Sequence, residues 1–192
     1  GLVSTRPYVV WVLAGVSIGA AVYTATGYPV RVVNEAVGAT VATGGLVLAS
    51  LQIASSVGRI GAGTLADVLP GVPRVRTSAI LVVQAVGGGV LFLLLPLTET
   101  VLLSGIAFAG IGLFILGSPG LYYSCISTLV AEEELGAASA VGQLAMTTSG
   151  LFAPPAFGYL VDVSGYALSW GFLGGLSFAA GGLLLAVTLE IV

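Results

Sequence analysis

Apolar residues run along this chain in long stretches separated by short polar joints. A helix that crosses a bilayer needs about 20 consecutive apolar residues. Six such stretches can be drawn, over residues of about 8–30, 37–66, 78–95, 101–130, 135–161 and 167–192. Pro29 and the polar Arg31–Glu35 close the first, and Pro96 stops the third. Gly117-Ser118-Pro119-Gly120 interrupts the fourth, and Pro154-Pro155 interrupts the fifth. Strands are a poor alternative. Membrane barrels alternate polar and apolar positions, whereas Ile80–Val83 and Val90–Leu95 are continuously apolar. In lipid only helices and closed barrels satisfy the backbone, so the pattern predicts helices. The fourth stretch would reach about 45 Å at 1.5 Å per residue, against a bilayer core of about 30 Å. A kink at Pro119, tilt, or extension past the membrane must absorb the excess.

Composition sharpens this picture. The 192 residues are 57% hydrophobic and 7% charged, with a mean hydropathy of +1.13, where soluble domains carry about 25% charged residues. So little polar surface cannot cover so apolar a core in water. The net charge of -3 is small and of the wrong sign for nucleic-acid binding. All five basic residues are Arg, and neither Lys nor His occurs, which removes His-based metal sites and Ser-His or Cys-His catalysis. No cofactor or metal is expected. Cys125 has no partner for a disulfide. The chain begins at Gly1 and its only Met is Met146, so a fragment or processed product is expected. The first apolar stretch is too long for a signal-peptide core and lacks an obvious cleavage site.

Six crossings would put both termini on one side, together with the joints after the second and fourth stretches. Arg6, Arg74 and Arg76 fall there, with Arg59 near the same face, and Arg31 lies opposite. The positive-inside rule then places the termini in the cytoplasm, in an inner or plasma membrane. Glu132-Glu133-Glu134 fall on the same side and weigh little in that rule. Gly63-Thr64-Leu65-Ala66-Asp67 closes the second stretch, and Gly158-Tyr159-Leu160-Val161-Asp162 closes the fifth. Both read Gly-x-Leu-x-Asp and stand three crossings apart, hence on opposite faces. That is the signature of an inverted repeat, although Gly, Leu and Asp also recur at helix ends by chance.

Over nearly its whole length the chain resembles the C-terminal six-helix half of a major facilitator superfamily transporter. Gly63, Leu65, Ala66 and Asp67, with Arg74 and Arg76 downstream, resemble that family's loop signature between the second and third helices of each half. Gly150–Gly158 resembles its fifth-helix pattern, and Glu132–Ala138 the loop leading into it. Val68 stands where a basic residue is expected, the loop carries Pro70 and Pro73, and Leu135 replaces a common basic residue. The resemblance implies an all-α membrane fold of two inverted three-helix repeats, half of a twelve-helix transporter. Its partners would be lipid, a small-molecule substrate, and the missing N-terminal half or a second copy. It also implies a cytoplasmic gate at Gly63, Asp67, Arg74, Arg76 and Arg59, and a central cavity reached from the first, second, fourth and fifth helices.

Each of these residues has a plainer reading. Asp67 is a gate carboxylate meeting a helix of the other half, or a solvated helix-end charge. Arg74 and Arg76 are gate residues or simple orientation charges. Arg59 lies about two turns before Asp67, inside the apolar stretch. It either snorkels or pairs at the gate, or faces the cavity and meets an anionic substrate. Gln52, Ser55, Tyr123, Ser127, Gln143 and Thr147 are cavity candidates, or groups that bond between helices. Tyr8, Trp11, Tyr166 and Trp170 fit interfacial belts. No Asp, Glu or Lys sits in the middle of an apolar stretch, so a coupling carboxylate would come from the missing half, or transport would be facilitated diffusion or use another ion. An intramembrane enzyme is disfavoured, because Ser-His and Ser-Lys pairs cannot be made and Asp67 and Asp162 fall on opposite faces. The readings left are transport of an unknown small solute by alternating access and a non-transporting membrane scaffold or assembly partner.

Overall fold

A computed structural model describes residues 6–191, and these are almost entirely helical with no strand among them. The elements are α1 (Arg6–Gly27), α2 (Pro29–Glu35), α3 (Val41–Val68), α4 (Pro73–Leu94), α5 (Val101–Ile111), a π-helical turn (Gly112–Leu116), α6 (Pro119–Ile126) and α7 (Leu135–Ile191). Five helical spans among the described residues are long and apolar enough to cross a membrane.

Local chemistry sets most helix starts. Pro opens α2, α4 and α6, where its missing N–H costs nothing and its φ is already helical. The Thr40 and Thr100 hydroxyls accept from the Thr43 and Leu103 N–H groups and cap α3 and α5. Several boundaries differ from the sequence pattern. Arg31–Glu35, read as a polar joint, forms most of the short helix α2. Arg74 and Arg76, read as loop residues, occupy the first turn of α4, because Pro73 starts that helix earlier than the apolar run begins. Pro154 and Pro155 do not interrupt their helix. The expected last stretch, 167–192, ends one residue outside the described residues.

α7 is 57 residues long, about 85 Å if it were straight. It is not straight. Gly165 has φ 81° and ψ 173°, outside the helical region, in a conformation that glycine adopts without a Cβ penalty. Residues 135–164 and 166–191 form two arms meeting there. The first arm runs alongside α1 in the same direction. Tyr8 bonds the Ala138 carbonyl, Gly19 abuts Met146, and Tyr28 bonds the Pro154 carbonyl. The second arm runs against α4, with Trp170 stacked on Phe92 and Gly181 beside Ala85 and Val86.

The interior divides into two apolar clusters, one toward each end of the bundle. The first gathers Ala25, Val33, Leu51, Phe92, Phe108, Ile111, Phe157, Trp170 and Leu173. The second gathers Tyr8, Trp11, Ala62, Ala66, Leu81, Tyr122, Cys125, Ala138 and Leu184. Each long helix, and each arm of α7, contributes to both. Four aromatic side chains expected at the membrane interface sit instead in or against these cores. Tyr8, Trp11 and Trp170 are buried, and Tyr166 packs partly buried against the first cluster. The Trp11 indole donates to the Tyr122 carbonyl at 3.3 Å, and the Tyr8 hydroxyl to the Ala138 carbonyl at 3.1 Å. Helices this rich in Gly and Ala leave space that only large rings fill. The Tyr122 ring lies where a Cβ on Gly15 would stand, 2.2 Å from its hydroxyl.

Candidate functional site

Two groups of the polar side chains singled out in the sequence come together. In the first, α6 and the first arm of α7 bring Tyr123, Gln143 and Thr147 into one chain of hydrogen bonds. The Tyr123 hydroxyl donates to Gln143 Oε1 and lies 3.4 Å from Met146 Sδ. Gln143 Nε2 donates to Thr147 Oγ1 at 3.1 Å, and that hydroxyl donates back to the Gln143 carbonyl at 2.8 Å. Gln143 and Thr147 are exposed and Tyr123 is partly so. Tyr23 of α1, 40% exposed, packs its ring against Gly150 one turn further along.

The second group joins α3 to the π turn. The Leu116 carbonyl accepts the Ser55 hydroxyl at 3.3 Å and Arg59 Nε at 3.2 Å. A π turn widens the ladder and displaces carbonyls from their usual partners, and Pro119 brings no N–H of its own to this stretch. Ser55 and Arg59 stand four residues apart, hence on one face of α3. Ser55 is 3% exposed, whereas Arg59 is exposed. Arg59 Nε is thus tied to a carbonyl within the bundle.

Gln52, Ser56, Arg59, Gly63 and Asp67 follow one another at three- and four-residue spacing along α3. All are exposed except Gly63, which is partly so. Such a row lies on one side of the helix. Asp67 joins none of the ion pairs or hydrogen bonds among the described residues. Arg74 and Arg76 are half-buried, and Arg76 Nη1 donates to the Leu69 carbonyl at 2.6 Å. Their Nε atoms are buried without a partner. Ser127 is exposed and bonds the Ser124 carbonyl, apart from both groups.

At the opposite end the structure holds a charge network that the sequence reading did not assemble. Arg31 Nε donates to Glu35 at 2.9 Å and Nη2 to Asp162 at 3.1 Å. The Tyr166 hydroxyl donates to the other Glu35 oxygen at 2.6 Å. That hydrogen bond, with the Arg31 guanidinium, holds the Glu35 carboxyl below its usual range, and the two carboxylates raise Arg31 further. The Arg31–Glu35 half was legible as an i,i+4 pair. Asp162 lies 131 residues from Arg31, and nothing local announces the contact.

Solute-sized space lies on the outside of the bundle. The enclosed gap among Ser17, Ser118 and Ser177 is about 10 Å³, room for about one water molecule. A groove of about 510 Å³ between α1 and the first arm of α7 is lined by Val12, Val16, Leu144, Phe152 and Thr148 among others, and is nearly all apolar. Searches of protein-family models and of curated proteins find no match to this chain.

Proposed function

We propose that this chain is one half, the C-terminal six-crossing half, of a secondary transporter that moves a small solute by alternating access. The observation that carries this reading is the exposed polar surface of an otherwise apolar bundle. Gln52, Ser56, Arg59, Gln143 and Thr147 are exposed on membrane-length helices. Lipid tails cannot hydrogen-bond them, and polar groups at membrane depth face protein or a water-filled cavity. A second bundle enclosing water against these positions would meet that need.

Counting six crossings follows from taking the two arms of α7 as separate passes, since a single helix of that length far exceeds a bilayer core of about 30 Å. The alternation of the chain between the two core clusters supports that count. The inverted repeat is supported by the positions of its two carboxylates, with Asp67 beyond the second cluster and Asp162 beyond the first. In this reading the Asp67 end faces the cytoplasm. Tyr123, Gln143 and Thr147 read the solute, and Asp67, with Arg74 and Arg76, meets the other half at the gate.

Uptake into vesicles holding the full-length parent protein, screened over a solute panel with and without a pH gradient, tests the proposal. Accumulation or equilibration of one solute is the expected result, and its loss in Asp67→Asn with insertion intact would support the gate assignment. Absence of flux for every solute would favour a scaffold, and normal flux in Asp67→Asn would remove Asp67 from the gate.

A further inference from the structure

The π turn sits where α3 and the α5–α6 rod come closest. A Cβ on Gly112 would stand 2.2 Å from the Leu51 carbonyl, and one on Gly58 2.2 Å from the Leu113 carbonyl. A Cβ on Gly117 would lie 3.0 Å from the Gly58 backbone. Three glycines therefore bring two backbones into direct contact at both ends of the turn. Beyond it the rod changes character. Gly117 and Ser118 break the helix, Pro119 restarts it, and α6 lasts only eight residues before a run of turns. What ties this junction to α3 through side chains is the Leu116 carbonyl with its two donors, Ser55 and Arg59.

We propose that residues 112–119 are a hinge, that Ser55 and Arg59 latch it by holding the Leu116 carbonyl, and that Arg59 is thereby a positioning residue for Tyr123. The glycine contacts fix the pivot, since backbones that touch leave no slack. The latch lies inside that contact, at Leu116 beside Gly117, and adds two hydrogen bonds to the packing there. α6 carries Tyr123 against Gln143 and Thr147, so swinging α6 dismantles the polar group on the exposed face. Arg59 is also exposed, so an acceptor arriving at its guanidinium competes directly with Leu116. π turns recur at functional sites because they free backbone groups without ending the helix. The inference rests on the packing of the bundle and stands independently of the transport reading.

Cys125 is a native reporter of this motion. It is the single cysteine of the chain, lies in α6 six residues beyond Pro119, and is 1% exposed. The experiment is labelling of Cys125 by N-ethylmaleimide in the full-length protein in lipid vesicles, counted on the Cys125 peptide by mass spectrometry. Removing both donors in Ser55→Ala with Arg59→Gln should speed labelling at least about thirtyfold, in line with the summed net strength of two hydrogen bonds, one from a charged group. Arg59→Lys, which keeps the charge but not the planar Nε donor, should also speed it. Hydrogen exchange should rise over residues 117–126 and stay unchanged in α1. Labelling unchanged in the double variant would overturn the latch. So would Arg59→Lys matching the wild type, or exchange rising equally in α1, which would make the pair a general packing contact.

Discussion

The two ends of this bundle are built differently. At the Arg31 end, four charged or phenolic groups from α2 and both arms of α7 close into one network: Asp162, Arg31, Glu35 and Tyr166. Beneath it five rings pack together, with Trp170 touching Phe92, Phe108 and Phe157, and Tyr28 edge-on to Phe157. At the Asp67 end the carboxylate is exposed and joins no ion pair among the described residues, and the half-buried Arg74 and Arg76 leave their Nε atoms without partners. Charges stand at both ends, but among the described residues Asp162 is paired within the chain and Asp67 is not. An end that satisfies itself resists separation. An end left with unspent donors and acceptors is suited to meeting another surface and leaving it again.

Trp170→Ala should break the comparison most. It removes the side chain shared by three aromatic contacts at the Arg31 end, and large buried aromatics cost roughly 3–5 kcal/mol when truncated. Thermal unfolding in detergent should fall sharply, and by more than in Trp11→Ala, whose ring stacks on Tyr122 alone. An equal loss in both would mean the ends are equally firm. Gly112→Ala should follow at roughly 1–3 kcal/mol, since its Cβ meets a backbone carbonyl that cannot step aside. Gly61→Ala, with open space around it, should be near neutral in the same assay.

Smaller effects sharpen the charge comparison. Arg31→Ala and Asp162→Asn should each cost no more than about 1 kcal/mol, because side chains of 40% and 65% exposure are well screened. Asp67→Asn should not measurably change stability in the isolated chain. A loss as large as that of Asp162→Asn would show that Asp67 is engaged within this chain. The smallest effect is that of pH. The Glu35 carboxyl is held below its ordinary value of 4.5, so its contribution is fully present above that value and is lost as pH falls through the lowered one. Melting measured between pH 6 and 3 should show a slight loss at the acid end, absent in Glu35→Gln. An equal loss in that variant would assign the effect to other carboxylates.

The helical, membrane-length character of the chain was legible because it depends on composition along a line. Runs of about 20 apolar residues have few other stable forms in lipid. The break near Pro119 was likewise legible, because Gly-Ser-Pro-Gly interrupts a helix wherever it occurs. Helix starts were less so. Pro73 and Pro29 begin helices among polar residues, where the hydropathy pattern sees only a joint. Of the candidate site, the residue types could be named but not their company. Gln143 and Thr147 are four apart and meet by helical geometry alone. That Tyr123 joins them, or that Ser55 and Arg59 share the Leu116 carbonyl 57 or more residues away, depends on how helices pack.

The sequence by itself determined what this chain dissolves in, which segments are helical, and where its few charges can stand, since each follows from local apolar length and from backbone chemistry. Only the tertiary structure decided which polar groups are spent and which are left over. That outcome depends on contacts between helices distant in sequence. Three glycines set a backbone contact at the π turn, one glycine folds α7 back on itself, and the packing that results buries Ser55, leaves Gln143 and Arg59 exposed, and gives Asp162 the partner that Asp67 lacks.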